Sequence, residues 1–254
     1  MNWAAIAVAG VAVAVAGGLW WRANREAARL RHRLGAAAEE LENLQKAFSR
    51  FAPDAVIERI IAEGVVDFGE KKEVTVLFAD VAGFTALSES LEPNVLVGIL
   101  NGYFERMSQA IAEHRGYVST FIGDGLLAFF GATDPNPWQG NDCVAAALAM
   151  RAALIDYNQE LAARDLPPLR IGIGLHRGTG VVGLVGSQQL KEFAFVGRAV
   201  NIAARVQELT RQFKVDIILT ETLRLTIDPD IVTNPLPATT VKGVEKPLEI
   251  HRLE

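Results

Sequence analysis

Cysteine is almost missing from this chain, which has 254 residues and carries Cys143 as its single copy. One cysteine excludes an internal disulfide and a cluster of thiol metal ligands, so nothing points to an oxidising compartment. Basic residues are outnumbered, because 25 lysines and arginines face 30 aspartates and glutamates for a formal net charge of -5. This balance argues against a general nucleic-acid binder. Apolar residues make up 50% of the chain, so a well-buried core is expected.

Charge is absent between Trp3 and Trp21. A helix of about 19 residues would be about 28 Å long, close to the roughly 30 Å hydrocarbon core of a bilayer. Five arginines follow between Arg22 and Arg33. We therefore predict a transmembrane helix over residues 1–21 in a single-pass protein of the cytoplasmic membrane, with the rest of the chain in the cytoplasm. A cleaved signal peptide is the alternative, although no basic residues precede the apolar run.

Residues 22–51 have the pattern of a charged helix with one apolar seam. Its apolar positions alternate by four and three residues, at Leu30, Leu34, Ala37, Leu41, Leu44, Phe48 and Phe51. Such a heptad seam favours a coiled coil and a parallel homodimer. One amphipathic helix packed on its own domain remains the alternative. Residues 52–73 are predicted to be a linker, and residues 74–254 the globular domain.

The run Val-Thr-Val-Leu-Phe-Ala-Asp-Val-Ala-Gly-Phe-Thr begins at Val74 and predicts a buried strand that ends near Asp80. Gly83 then permits a tight turn before a helix start at Thr85. A carboxylate at a strand end beside exposed backbone amides suits a hard cation and the phosphates bound to it. Capping of the next helix by Asp80 is the alternative.

Two short apolar runs flank the sequence Ile-Gly-Asp-Gly, which contains Asp124. Asp-Gly accepts the positive φ angles of a tight turn, so the runs Tyr117–Phe121 and Leu126–Phe130 predict a hairpin. If the hairpin pairs with the Val74 strand, Asp80 and Asp124 lie side by side. Two carboxylates repel each other unless cations lie between them, which favours a metal site over a turn residue alone.

Three runs together resemble a known family. They are Val-Leu-Phe-Ala-Asp-Val-Ala-Gly-Phe-Thr, Phe-Ile-Gly-Asp-Gly-Leu-Leu-Ala-Phe-Phe-Gly and Phe-Val-Gly-Arg-Ala-Val-Asn-Ile-Ala-Ala-Arg. They resemble the class III nucleotidyl cyclases, the adenylate and guanylate cyclases, from about Phe48 to the C-terminus. The resemblance implies an α+β fold, with a palm-like (ferredoxin-like), antiparallel-rich sheet flanked by helices. It also implies a head-to-tail dimer with nucleotide sites at the interface.

The resemblance implies roles for individual residues. Asp80 and Asp124, with the backbone of Val81, would hold two Mg²⁺ or Mn²⁺ ions, which suit oxygen ligands.

Asn201 and Arg205 lie four residues apart on one predicted helix and match the pair that orients the ribose and neutralises the α-phosphate. The triphosphate would be held by Ala82, Gly83, Phe84, Thr85 and Lys242. His176 is as consistent with a structural histidine as with a participant.

The base-selecting positions depart from the family pattern. Adenylate cyclases usually have lysine where this chain has Thr120, and aspartate or threonine where it has Ala194. Guanylate cyclases would have glutamate and cysteine. Ala194 can neither donate nor accept a hydrogen bond, so base discrimination is expected to be weak or to come from other groups.

The expectation from sequence is therefore a homodimeric adenylate cyclase that converts ATP to 3′,5′-cyclic AMP and pyrophosphate. A guanylate or relaxed-specificity cyclase is one alternative. A nucleotide-binding pseudocyclase that signals through dimerisation is another. A diguanylate cyclase is disfavoured because its Gly-Gly-Asp/Glu-Glu-Phe signature does not occur.

Overall fold

The structure, a computed structural model, describes residues 20–21, 25, 31–40, 54–63, 69–133, 136–187 and 191–254. The chain divides into two compact units, Met1–Ile61 and Ala62–Glu254. In the first unit, residues 31–40 are helical and exposed, including Leu34 and Ala37 of the heptad seam. The other seam positions lie outside the described residues. The coiled coil therefore stays a prediction.

The predicted membrane localisation is wrong. Within the described residues, no helix combines the length and the apolar character that crossing a bilayer requires. The proposed span at residues 1–21 itself lies outside those residues, apart from Trp20 and Trp21, which are helical and exposed. The prediction relied on a run without charge. A sequence pattern alone does not establish a spanning helix, and the helices of the described residues do not supply one.

The helices and strands are named here in chain order over the described residues. They are α1 (Asp54–Glu63), β1 (Gly69–Val81), α2 (Phe84–Ser90), α3 (Pro93–Glu113), β2 (Tyr117–Ile122), β3 (Gly125–Phe130), α4 (Gln139–Ala162), β4 (Ile171–Gly186), β5 (Lys191–Val196), α5 (Arg198–Phe213), β6 (Ile217–Thr220), α6 (Glu221–Arg224), β7 (Thr233–Thr239) and β8 (Leu248–Leu253).

The strands form one mixed sheet in the order β2-β3-β1-β4-β6-β8-β7, and β5 pairs with β4 off this path. Strands β4 and β6 run parallel, whereas the other pairs are antiparallel. The α+β class and the antiparallel-rich sheet flanked by helices are confirmed. The long strands β1 and β4 form the centre of this sheet.

Strand β1 is longer than its apolar run. Its second half, from Val74 onward, is buried except at Phe78 and Asp80, which are half-buried, as the β-branched pattern predicted. The strand nevertheless begins at Gly69, because its exposed first half pairs with β4 in a continuous register from Gly69 opposite Gly183 to Val81 opposite Ile171. Backbone pairing with a distant strand thus extends β1 into residues predicted to be linker.

The sheet has a hydrophobic cluster on each side. Ile217 and Leu219 of β6 belong to the main cluster, which α3 and α4 cover, whereas Ile218 belongs to a second cluster that α5 covers. Alternate residues of a strand point to opposite faces, so α5 lies on the other side of the sheet from α3 and α4. A methyl group at Gly174 would come within 2.3 Å of the Gln207 backbone nitrogen, so glycine there allows α5 to pack closely.

Candidate active site

The structure brings Asp80 and Asp124 together. Asp80 is the penultimate residue of β1, and Asp124 lies in the turn of the β2–β3 hairpin, which the sequence predicted. Strands β1 and β3 pair up to Ala79 opposite Leu126, which carries the turn to the end of β1. A methyl group at Gly125 would lie 3.3 Å from Asp80 Oδ1. Glycine therefore leaves room for the two carboxyl groups to meet.

The carboxyl pair carries more negative charge than its surroundings neutralise. Burial raises the pKa of Asp80 to about 6, with further contributions from its hydrogen bond with Asp124 and from the charge of that carboxylate. Arg211 and the Val81 backbone oppose this shift but do not cancel it. Such a pair is stabilised by added positive charge.

Arg211 is the cation that reaches this pair, and the sequence analysis did not identify it. Its Nη2 donates a hydrogen bond to Asp80 Oδ2 at 2.9 Å, across a separation of 131 residues. A signal was available, because Gln207, Thr210 and Arg211 share one face of α5, where the first two are buried. Polar residues buried on one helix face indicate a polar environment opposite them.

Tyr103 lies beneath the same site. Its side chain in α3 is fully buried, and its hydroxyl has no hydrogen-bond partner among the described residues. Burial, and then the charges of Asp80 and Asp124, raise the pKa of this hydroxyl well above its ordinary value. In the sequence, Tyr103 recurs at helical spacing with Ile99, Met107 and Ile111, a pattern that predicts only a core position of a helix. A buried hydroxyl without a partner, next to two carboxylates, indicates a polar site whose ligands are incomplete.

These residues fit hard divalent cations. The available ligands are the Asp80 and Asp124 carboxylates and the Val81 carbonyl, all of them oxygen donors. Among the described residues there is no cluster of three or more His, Cys, Asp or Glu side chains. Two carboxylates are what Mg²⁺ typically takes from a protein, with water and substrate phosphates completing its octahedron.

A cavity of about 660 Å³ adjoins the loop that follows Asp80. The loop contributes Ala82 and Gly83, and Gly83 adopts the left-handed φ of 76° that its turn requires. The Ala82 amide donates to the Arg170 carbonyl at 2.7 Å, which fixes the loop against the start of β4. Phe84 and Thr85 then begin α2. The charged residues that line the cavity are Arg170, Arg211, Lys214 and Asp216.

The residues matched to the transition state lie elsewhere in the chain. Asn201 and Arg205 are in α5, with Asn201 exposed and Arg205 donating to Glu208 at 2.5 Å. Lys242 is exposed in the connection between β7 and β8, next to Val241. Val241 belongs to the same hydrophobic cluster as Ile202 and Val206 of α5, which also contains Leu209, Ile218 and Ile250. One cluster therefore supports all three of these polar residues.

The base-selecting positions lie in two different strands. Thr120 is half-buried in β2, where its hydroxyl is 3.4 Å from the Phe121 carbonyl. Ala194 is half-buried in β5, opposite Gly183 of β4. The Tyr117 and Phe193 rings, 5.7 Å apart, hold β2 close to β5. Of the two positions, only Thr120 supplies a polar group.

His176 has a structural role in β4. It is buried, and its Nδ1 lies 2.9 Å from the Thr220 hydroxyl of β6. Burial, with a smaller contribution from the Arg198 charge, lowers the pKa of His176 to about 4. The ring is therefore neutral at neutral pH. It links two strands of the sheet.

Comparison with known proteins agrees with this geometry. The family model described as "Adenylate and Guanylate cyclase catalytic domain" matches residues 66–254. An adenylate cyclase of Anabaena cylindrica is 35% identical over 194 residues, which cover 72% of this chain and 37% of that protein. The chain thus spans a little over a third of the length of this curated relative.

Two solved structures are similar over most of their length. The adenylyl cyclase CyaB from P. aeruginosa is 28% identical with a TM-score of 0.69, covering 74% of this chain and 96% of that one. The guanylyl cyclase Cya2 is 31% identical with a TM-score of 0.66, covering 73% and 93%. With the match to residues 66–254, these likenesses show that the chain belongs to the adenylate and guanylate cyclase catalytic domain family.

Proposed function

We propose that this chain is a nucleotidyl cyclase that acts as a homodimer and converts ATP to 3′,5′-cyclic AMP and pyrophosphate. The observation that carries the proposal is the contact between Asp80 and Asp124 at the end of β1, with the pKa of Asp80 raised to about 6. Cations bound between two such carboxyl groups would relieve their mutual repulsion. Family membership supports the reaction class.

Asp80, Asp124 and the Val81 carbonyl would hold two Mg²⁺ or Mn²⁺ ions. When bound, these ions supply the positive charge that lowers the pKa of the ribose 3′-hydroxyl and stabilises the pyrophosphate leaving group. In the reaction, the 3′-oxygen bonds to the α-phosphorus as the bond from that phosphorus to the bridging oxygen of pyrophosphate breaks. The hydroxyl proton passes to solvent.

The other predicted residues would act on the substrate directly. Asn201 orients the ribose, and Arg205 neutralises the charge that grows on the α-phosphate. The backbone of residues 81–85 and the Lys242 ammonium hold the triphosphate. Arg205 must leave Glu208 to do this, and its half-exposed side chain has the freedom to turn.

A homodimer would join the two sets of residues. Asp80 and Asp124 from one protomer would face Asn201 and Arg205 of its partner, in the head-to-tail arrangement that the family resemblance implies. The heptad pattern over residues 30–51 gives further support, because its apolar seam would be buried by a second helix. Activity would then depend on protein concentration in the range of the dimer dissociation constant.

Resemblance, and not the base-selecting residues, favours ATP as the substrate. The similarity to the adenylate cyclases of Anabaena cylindrica and P. aeruginosa supports ATP as the substrate of this chain. The guanylyl cyclase Cya2, however, is of comparable similarity. Thr120 and Ala194 give this chain neither usual base-recognition pair. The second candidate is therefore a guanylate or relaxed-specificity cyclase, and the third is a pseudocyclase that binds nucleotide without turnover.

The test is to incubate the purified full chain with Mn²⁺ and either ATP or GTP and to identify products by mass spectrometry. We expect cyclic AMP from the parent and none from Asp80→Asn. The matched control is Asp156→Asn, an exposed aspartate on α4, which should retain parental activity. Equal turnover of ATP and GTP would favour relaxed specificity. Nucleotide binding without either product would favour a pseudocyclase.

A further inference from the structure

Arg211 occupies a position that the proposed metal site also needs. Its guanidinium donates to Asp80 Oδ2 at 2.9 Å. The arginine side chain is 60% exposed, whereas that of Asp80 is 23% exposed. A cation bound to the same carboxylate would compete for this oxygen and would repel the guanidinium. Arg211 and a divalent cation therefore compete for the negative charge of the Asp80 carboxylate.

The fold brings Arg211 to this position. Gly172 of β4 lies opposite Asp80 in the strand register. A methyl group at Gly172 would come within 2.2 Å of the Thr210 hydroxyl and 2.9 Å of Gln207 Nε2. Glycine thus allows the last turns of α5 to lie directly on β4. From there the next residue, Arg211, reaches the carboxylate at the end of β1.

Arg211 also lines the cavity beside the loop that follows Asp80. Arg170 and Lys214 line the same space, and Asp216 is the one acidic residue among its lining. Three cations against one anion make this a favourable environment for a polyanion. Ala82 and Gly83 of the loop predicted to hold the triphosphate form part of its wall. The cavity is open to phosphates that enter from this loop.

We propose that Arg211 exchanges partners during substrate binding. In the nucleotide-free protein it neutralises Asp80. When a metal–nucleoside triphosphate binds, the guanidinium leaves Asp80 and moves onto the outer phosphates, together with Arg170 and Lys214. The planar fork of arginine suits both partners, since it can bind carboxylate and phosphate oxygens. This inference rests on the proposed function for the identity of the ligand.

The alternative is a static ion pair that only holds the end of α5 against β1. The two roles predict different changes in ligand affinity when Arg211 is removed. For an exchanging arginine, its removal frees Asp80 for metal and takes a contact from the phosphates. For a static pair, removal of the guanidinium takes no contact from the phosphates, so the affinity for tripolyphosphate stays as it was.

The experiment measures binding to the full chain without turnover. Electron paramagnetic resonance would give the affinity for Mn²⁺ alone, and calorimetry the affinity for inorganic tripolyphosphate with Mn²⁺ present. For Arg211→Ala we expect Mn²⁺ alone to bind about threefold to fivefold more tightly, and tripolyphosphate about tenfold more weakly. Arg252→Ala is the matched control, because it removes another exposed ion pair, with Glu254.

Arg211→Lys extends the test should the alanine variant fail to fold. Lysine keeps the charge but loses the fork, so tripolyphosphate should bind more weakly than to the parent. An unchanged affinity for tripolyphosphate in both folded variants would overturn the exchange, as would weaker binding of both ligands. A parent chain that shows the exchange but forms no cyclic nucleotide would overturn the proposed function instead. The two failures are therefore distinguishable.

Discussion

The acidic and the basic parts of the predicted site differ in almost every physical respect. Asp80 and Asp124 lie at the edge of the main hydrophobic cluster, where burial and mutual repulsion raise the pKa of Asp80 to about 6. Asn201 and Lys242 are exposed, and Arg205 is half-exposed and pairs with a neighbour on its own helix. The acidic part has negative charge that bound cations would balance. The basic part has hydrogen-bond donors whose acceptor would be a phosphate group. Each part is incomplete alone, which favours a site assembled from two copies.

The largest expected effect comes from the acidic part. Asp80→Asn should lower cyclase activity by at least about 1,000-fold, since it removes a proposed ligand of both metals. The same change removes a like-charge repulsion, so the metal-free protein should become more stable by about 1 kcal/mol. Activity assays and thermal unfolding without metal would measure the two effects. A variant that loses activity and stability together would contradict the charge argument.

A change in the basic part should lower activity with little effect on stability. Arg205→Ala is expected to lower the turnover number by on the order of 100-fold, because its contact forms in the transition state. Its side chain is 41% exposed, so its loss should change the unfolding temperature little. Steady-state kinetics and a thermal scan test this pair of outcomes. A rise in KM with unchanged turnover would assign Arg205 to ground-state binding.

A smaller effect is expected at the base-selecting positions. The double change Thr120→Lys with Ala194→Asp introduces the pair typical of adenylate cyclases. It should raise the preference for ATP over GTP by about tenfold, as new hydrogen bonds to the base form. Competition between the two nucleotides in one assay measures the ratio. An unchanged ratio would mean that other groups read the base.

The last prediction concerns pH and stability, and it lies outside both parts of the site. The folded pKa of His176 is about 4, below its ordinary value of 6.5. Between these values the unfolded chain binds more protons than the folded one, so acid favours unfolding. Stability should therefore fall as the pH drops from about 6.5 to 4, by up to about 3 kcal/mol. His176→Gln should flatten this part of the profile in urea titrations.

Local patterns were sufficient to predict much of this arrangement. The apolar run before Asp80 and the Asp-Gly turn at Asp124 predicted a strand and a hairpin, and the structure contains both. The recurrence of buried positions at helical spacing in α3 could also be predicted from the sequence. The lack of a hydrogen-bond partner for the Tyr103 hydroxyl among the described residues could not. Each of these predicted features depends on neighbours in sequence.

Features that depend on distant residues escaped prediction. The first half of β1 is exposed and lacks an apolar pattern, yet it pairs with β4. Arg211 meets Asp80 across 131 residues, and the polar face of α5 that holds Arg211 does not indicate which carboxylate it contacts. The membrane prediction failed because an uncharged run followed by arginines does not by itself establish a spanning helix, and none occurs among the described residues.

The measurement that tests the central claim most directly is a mixture of two inactive variants. Asp80→Asn and Arg205→Ala protomers, combined in equal amounts and allowed to exchange, form mixed dimers with one intact site and one doubly altered site. The account predicts recovery of about a quarter of parental activity, since about half the dimers are mixed and each has one working site of two. A mixture as inactive as its separate components, in dimers shown to exchange, would contradict a site shared between protomers.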